Sequence, residues 1–115
     1  MRILVIDDEA NIRLLLTEIF SLNGHTVEEA ENGLIALKMV KRVHYDLIMM
    51  DKRMPVMNGE ETLVEMKKCT DTPVYVISAF QSADEVERLY QLGASGVLTK
   101  PFGMREVLQI AEKLQ

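Results

Sequence analysis

Five times along this chain a short apolar run gives way to a stretch with apolar residues at helical spacing, and that alternation restricts the fold more than any other feature. The first strand is expected from Arg2 to Ile6, and Ile12, Leu15, Leu16, Ile19 and Phe20 follow at helical spacing until Asn23-Gly24 stops them. Thr26 to Ala30 reads as a weaker strand, with Val27 its only large apolar residue, which suits a sheet edge. Asn32-Gly33 opens a second helix with Leu34, Leu37 and Val40 on its apolar face and Ala36 beside them, ending near Val43. Leu47 to Met50, Val74 to Ile77 and Gly96 to Thr99 supply the remaining strands. Asn58 with Glu61, and Ser82 with Glu85, form capping arrangements for the third and fourth helices. The third turns Leu63 and Met66 inward and is broken at Thr72-Pro73; the fourth carries Val86, Leu89 and Tyr90 and stops at Gly93. The last helix runs from about Met104 to Leu114 with Val107, Leu108, Ile110, Ala111 and Leu114 inward.

Strands this short and apolar are buried on both faces, so the alternation predicts an α/β fold with a parallel sheet covered by helices on both sides. A closed barrel needs eight such units. Five give an open, doubly wound sheet, for which the flavodoxin-like order 2-1-3-4-5 is expected, with five helices on its two faces. The 115 residues fit one domain, residues 1–115, without internal repeat or linker.

Composition excludes several classes. The net charge of −5 opposes non-specific nucleic-acid binding and suits a cation or a basic partner surface. A single cysteine, Cys69, permits neither an intrachain disulfide nor a cysteine-based zinc site, fits a reducing cytoplasmic setting, and is expected as a half-buried thiol near a helix end. A strand beginning at Arg2 leaves no room for a signal peptide, and no apolar run approaches the ~20 residues of a membrane span.

The chemistry collects at the strand ends. Leu47 to Met50 runs into Asp51, followed by a loop punctuated by Pro55 and Gly59. In the expected topology the switch point lies between the first and third strands, so Asp7-Asp8 should face Asp51 across the crevice. Three carboxylates in one partly buried pocket raise one another's pKa unless a counter-ion is present. A hard divalent cation resolves this, and Mg²⁺ takes one or two protein carboxylates plus waters and phosphate oxygens. Ser78 ends the fourth strand, and Thr99-Lys100-Pro101 brings an ammonium group to the same rim. A carboxylate nucleophile, a metal, a hydroxyl and a lysine are what phosphoryl transfer to an aspartate requires.

In these residues the chain resembles the response-regulator receiver domains of two-component signalling, the CheY-like family. Asp7-Asp8 matches the acidic pair, Asp51 in Asp-x-x-Met-Pro-x-Met-x-Gly the phosphoacceptor, Ser78-Ala79 the hydroxyl residue and its small neighbour, and Lys100-Pro101-Phe102 the lysine motif. The likeness covers the whole chain. It implies Asp8, Asp51 and the backbone carbonyl of Arg53 as direct ligands of Mg²⁺, with Mn²⁺ an alternative, and Asp7 acting mainly through water. It implies Ser78 and Lys100 on the phosphoryl oxygens and a cis Lys100-Pro101 bond. The implied donor is a sensor histidine kinase or histidine phosphotransferase, the implied downstream target a protein, with no direct nucleic-acid or membrane contact. Such a domain catalyses its own phosphorylation and dephosphorylation without being a conventional turnover enzyme. Docking of the donor is expected around helix one and the loop after the fifth strand, at Ile12, Pro101, Phe102 and Met104.

Each residue also has a plainer reading. Asp7-Asp8 would serve as a helix cap, Lys100 as a solvated lysine, Ser78 as a loop hydroxyl, and Met49, Met50, Met54 and Met57 as packing; His25 and His44 are expected at the surface. The sequence departs from the family pattern at Val97, where an aromatic usually gates the site, and places the bulky or basic residues Lys52, Arg53 and Phe80 beside it. Two contexts fit: a stand-alone receiver similar to single-domain phosphorelay regulators, or the receiver portion of a longer nitrogen-regulator-type transcription activator. A haloacid-dehalogenase-like phosphatase needs Asp-x-Asp after its first strand, which Asp7-Asp8-Glu9 lacks, and a flavodoxin needs a hydroxyl-rich loop where this one is acidic. A non-phosphorylated binding module is opposed by the complete residue set.

Overall fold

Apolar runs without polar alternation can only be satisfied at the centre of a sheet, and that is where they lie. The computed structural model describes residues 1–79 and 82–115; Phe80 falls outside the described residues. The elements follow in the order β1 (Arg2–Ile6), α1 (Ala10–Leu22), β2 (Thr26–Ala30), α2 (Gly33–Val40), β3 (Leu47–Asp51), α3 (Gly59–Lys67), β4 (Val74–Ser78), α4 (Ala83–Gln91), β5 (Gly96–Thr99) and α5 (Met104–Leu114). Five parallel strands pair in the order β2-β1-β3-β4-β5. This is the expected flavodoxin-like arrangement. β3, at the centre, is buried over its whole length, whereas β2 at the edge is half exposed and acidic, a composition that discourages pairing with a further strand.

Two cores sandwich the sheet. Leu4, Ile6, Ile48, Met50 and Val76 meet α2, α3 and α4 on one face, while Ile3, Val5, Leu47, Met49 and Ile77 meet α1 and α5 on the other. The period-two division of β1 and β3 between these clusters is the side-chain alternation of a strand, with both faces apolar.

Several helix faces are rotated from the sequence expectation. Leu15 is 45% exposed and Leu34 is 48% exposed, because Leu16, Ile19 and Phe20 in α1, and Ala36, Leu37 and Val40 in α2, take the inward positions. Tyr90 likewise points outward and leaves Leu89 as the buried residue of α4. α2 ends at Val40, with Arg42 and Val43 continuing as a turn on the Met39 carbonyl. His25 is buried rather than at the surface: its Nδ1 lies 3.1 Å from the Met1 amino group and its ring meets Phe20 edge-on. His44 is exposed, as expected, and Cys69 is exposed rather than half-buried. The four methionines around Asp51 pack inward, Met57 only in part. No helix among the described residues is long and apolar enough to cross a membrane.

Candidate functional site

β3 extends one residue beyond the expected end, so Asp51 is itself the last residue of the strand, paired in register with Ile77 of β4. Lys52 N–H then bonds the Ile77 carbonyl, and Gly59 N–H returns to the Lys52 carbonyl at 2.8 Å, closing the loop between β3 and α3. A side chain at position 59 would bring Cβ within 2.7 Å of Lys52 Cα and O, so only glycine permits this closure. Asn58 caps α3 by accepting from Glu61 N–H at 2.9 Å, as its spacing predicts.

Around Asp51 the other strand tips converge. Asp7 follows β1 and is 0% exposed; its Oδ1 accepts from Glu9 N–H at 2.8 Å, while its Oδ2 is buried with no hydrogen-bond partner among the described residues. Its backbone carbonyl accepts from the Arg13 guanidinium, which also pairs with Glu29 at 3.3 Å. Carboxylate oxygens of Asp7, Asp8 and Asp51 lie within 4.8 Å of one another. Lys100, just after β5, places Nζ 3.1 Å from Asp51 Oδ1, and Ser78 sits buried at the end of β4. The cleft between them, about 230 Å³, is lined by Asp8, Glu9, Asp51, Arg53, Ser78 and Lys100 among others. The Lys100-Pro101 bond is cis, as expected. Every site residue expected from the sequence is thus at one place. Asp8 does not cap α1, since Glu9 occupies the N-cap position without a side-chain bond.

Electrostatics follow from this crowding. The Asp7 carboxyl is raised to about 6, by burial first and then by the charges of Asp51 and Asp8, with the Glu9 N–H and Lys100 opposing. Burial also raises Asp51, against the hydrogen bond and charge of Lys100. Burial alone would lower the Lys100 ammonium, but the bond to Asp51 and its charge outweigh it and hold Lys100 above the usual lysine value. An unpartnered buried carboxylate oxygen beside two further carboxylates, with oxygen donors only, fits a hard divalent cation such as Mg²⁺.

Sequence reading missed two contributors. Glu9 lines the cleft, which the acidic run Asp7-Asp8-Glu9 signals but spacing alone does not interpret. Lys52 pairs with Glu85 at 3.4 Å, and Arg88 with Glu60 at 2.8 Å, tying α4 to the β3–α3 region through partners far apart in sequence. Val97, at the position of the family's gating aromatic, is half-buried on the α4 side of the sheet.

Known proteins share this arrangement. The profile of the response regulator receiver domain matches residues 3–112. Sporulation initiation phosphotransferase F of Bacillus subtilis is 34% identical over 97% of this chain and 91% of its own length. Regulatory protein AtoC of Escherichia coli is 36% identical over 97% of this chain, which spans 24% of that protein, and a CpxR homolog of Haemophilus influenzae is 37% identical over 93% of this chain, which spans 47% of it. Among solved structures, the Francisella response regulator 1452 receiver domain superposes with TM-score 0.92 at 31% identity, covering 98% of this chain and 94% of that one. The chemotaxis protein CheY4 of Vibrio cholerae does so with TM-score 0.91 at 28% identity, covering 99% and 98%. With strand order, acidic cluster and lysine in agreement, the chain belongs to the response regulator receiver family of two-component signal transduction.

Proposed function

We propose that residues 1–115 act as one receiver domain in which Asp51 accepts a phosphoryl group from the phosphohistidine of a sensor histidine kinase or histidine phosphotransferase. The reading is carried by the Asp51 carboxylate, 4% exposed, held 3.1 Å from Lys100 and clustered with Asp7 and Asp8. An Asp51 carboxylate oxygen attacks phosphorus in line with the donor bond; a P–O bond forms, the P–N bond breaks, and its electron pair stays on the imidazole nitrogen. Lys100 then follows the charge from carboxylate to phosphoryl oxygen, and the Ser78 hydroxyl donates to another. Asp8, Asp51 and the Arg53 carbonyl would hold Mg²⁺, or Mn²⁺, directly, and Asp7 through water. When bound, the cation neutralises charge on the phosphoryl oxygens.

The product is an aspartyl phosphate that the domain itself hydrolyses, so it works as a switch or relay and not as a turnover enzyme. The donor approaches over Ile12 of α1 and over Pro101, Phe102 and Met104 of the β5–α5 loop; Met104 is exposed and Ile12 half-buried. A cytoplasmic setting fits this donor class, and the downstream target is a protein rather than nucleic acid. Two contexts are supported by different relatives: a stand-alone relay protein by the 91% span of phosphotransferase F, and part of a longer transcriptional regulator by the 24% span of AtoC. The full-length transcript separates them.

Incubation with acetyl phosphate and Mg²⁺, followed by intact mass, tests the assignment. The wild type gains one phosphoryl group and Asp51→Asn gains none. Phosphorylation of that variant at the wild-type rate overturns the reading.

A further inference from the structure

Val56 carries two local costs. Its φ is +71°, in the left-handed region where a β-branched side chain collides with its own backbone, and it is the one non-glycine residue among those described with positive φ. The other two positions in that region, Gly24 and Gly93, are glycine. Met57 N–H donates to the Pro55 carbonyl at 2.7 Å, so Val56 is the central residue of a γ-turn in its strained, positive-φ form. The second cost is exposure. Val56 is 76% exposed, so its side chain returns no packing energy to the fold.

The surrounding loop over-determines this conformation. Gly59 N–H on the Lys52 carbonyl closes the loop, Met54 is buried on the near side of the turn, and Asn58 caps α3 on the far side. The turn therefore projects Val56 into solvent from the same β3–α3 loop whose Lys52 and Arg53 line the cleft. Lys52 and Arg53 line the space around Asp51 and also the adjoining depression shared with Met54, Asn58 and Glu60.

We propose that Val56 is a contact residue for the phosphohistidine-bearing donor protein, an apolar anchor presented beside Asp51 by the strained turn. The inference rests on Asp51 being the acceptor. Asp51 is 4% exposed on the floor of a cleft of about 230 Å³, so a donor imidazole that reaches it must belong to a surface lying across the rim. Such a surface covers the β3–α3 loop, and burying Val56 then recovers apolar area that the isolated domain leaves in water. A small phosphoryl donor enters the cleft without touching the turn. Val56 thus discriminates between donors and takes no part in the chemistry.

The test compares two donors on four proteins: wild type, Val56→Gly, Val56→Asn and Val56→Leu. Glycine and asparagine tolerate positive φ and remove the apolar side chain, while leucine keeps it. The donors are acetyl phosphate and a purified histidine-kinase core, autophosphorylated and chosen for measurable transfer to a receiver of this family. Val56→Gly and Val56→Asn should melt at higher temperature than wild type, since the strain is relieved. Their acetyl phosphate rates should stay within about twofold of wild type while kinase transfer at sub-saturating receiver slows at least about fivefold, and Val56→Leu should keep wild-type transfer. Unchanged kinase transfer in Val56→Asn overturns the proposal. So does an equal loss with both donors, which would make Val56 a determinant of site geometry. A wild type that takes a phosphoryl group from neither donor overturns the Asp51 reading, and this inference with it.

Discussion

Asp7 shows how much the site asks of single residues. Its carboxyl is fully buried, one oxygen has no partner among the described residues, and its pKa is raised to about 6, chiefly by burial, so at neutral pH the metal-free domain holds a charge that its surroundings disfavour. A divalent cation reverses that balance. In EDTA at pH 7.5, Asp7→Asn should therefore raise folding stability on the order of 1 kcal/mol, read from the urea midpoint. In Mg²⁺ titrations the same variant should bind more weakly than wild type, and Asp8→Ala, which removes a proposed direct ligand, should bind more weakly still. Equal affinity of wild type and Asp8→Ala would remove Asp8 from the metal site. Asp7, Asp8, Asp51, Ser78 and Lys100 were all legible in the sequence, because each stands where an apolar strand run stops. The turn at Val56 was not, because valine is a residue type that disfavours the left-handed region it occupies.

Between residues and molecule stand the turns that aim the site. Gly59 closes the β3–α3 loop by letting Lys52 approach within contact of its Cα. Gly59→Ala should cost about 1–3 kcal/mol in urea unfolding and slow phosphorylation by acetyl phosphate, since the methyl can be accommodated only by moving Lys52 away from the strand tip. A rate and midpoint equal to wild type would contradict that closure. On the opposite end, the α1–β2 corner buries His25 between the Met1 amino group and the Phe20 ring. Burial first, and the N-terminal charge second, lower its pKa from 6.5. A histidine whose folded pKa lies below its unfolded value contributes stability that is complete above the unfolded value and is lost as pH falls through the folded one. The urea midpoint should decline as pH drops below about 6.5, and less so in His25→Gln. An identical decline in both proteins would assign the effect to other groups. The caps at Asn58 and Ser82 were readable from spacing, because a cap is a local exchange between a side chain and an N–H three residues on; Asn32, read only as a helix start, caps α2 in the same way. His25 was misread because its burial depends on a strand and a helix distant in sequence.

At the scale of the molecule, the crossing of the chain between β1 and β3 is what turns scattered carboxylates into a site. Order β2-β1-β3-β4-β5 sets β1 beside β3 and leaves the tips of β3, β4 and β5 in one row, so Asp7, Asp51, Ser78 and Lys100 meet although the chain separates them widely. The sequence by itself determined the five strands and five helices and the parallel sheet with two covered faces, and it singled out the residues that the fold then gathers at the strand tips. These depend on hydrophobic period and on punctuation by Gly, Pro and capping side chains, which act over a few residues. The helical spacing already picked out inward residues such as Leu63, Met66, Val107 and Ile110, and tertiary structure decided the edges of each apolar face. Leu15, Leu34 and Tyr90 belong to apolar patterns as wide as the helices allow, and only the position of the sheet chooses Leu16, Ala36 and Leu89 instead. It also decided the pairs Lys52–Glu85 and Arg88–Glu60, and the crowding that raises Asp7. Burial and charge proximity are sums over neighbours brought together by folding, and a linear pattern holds only the neighbours along the chain.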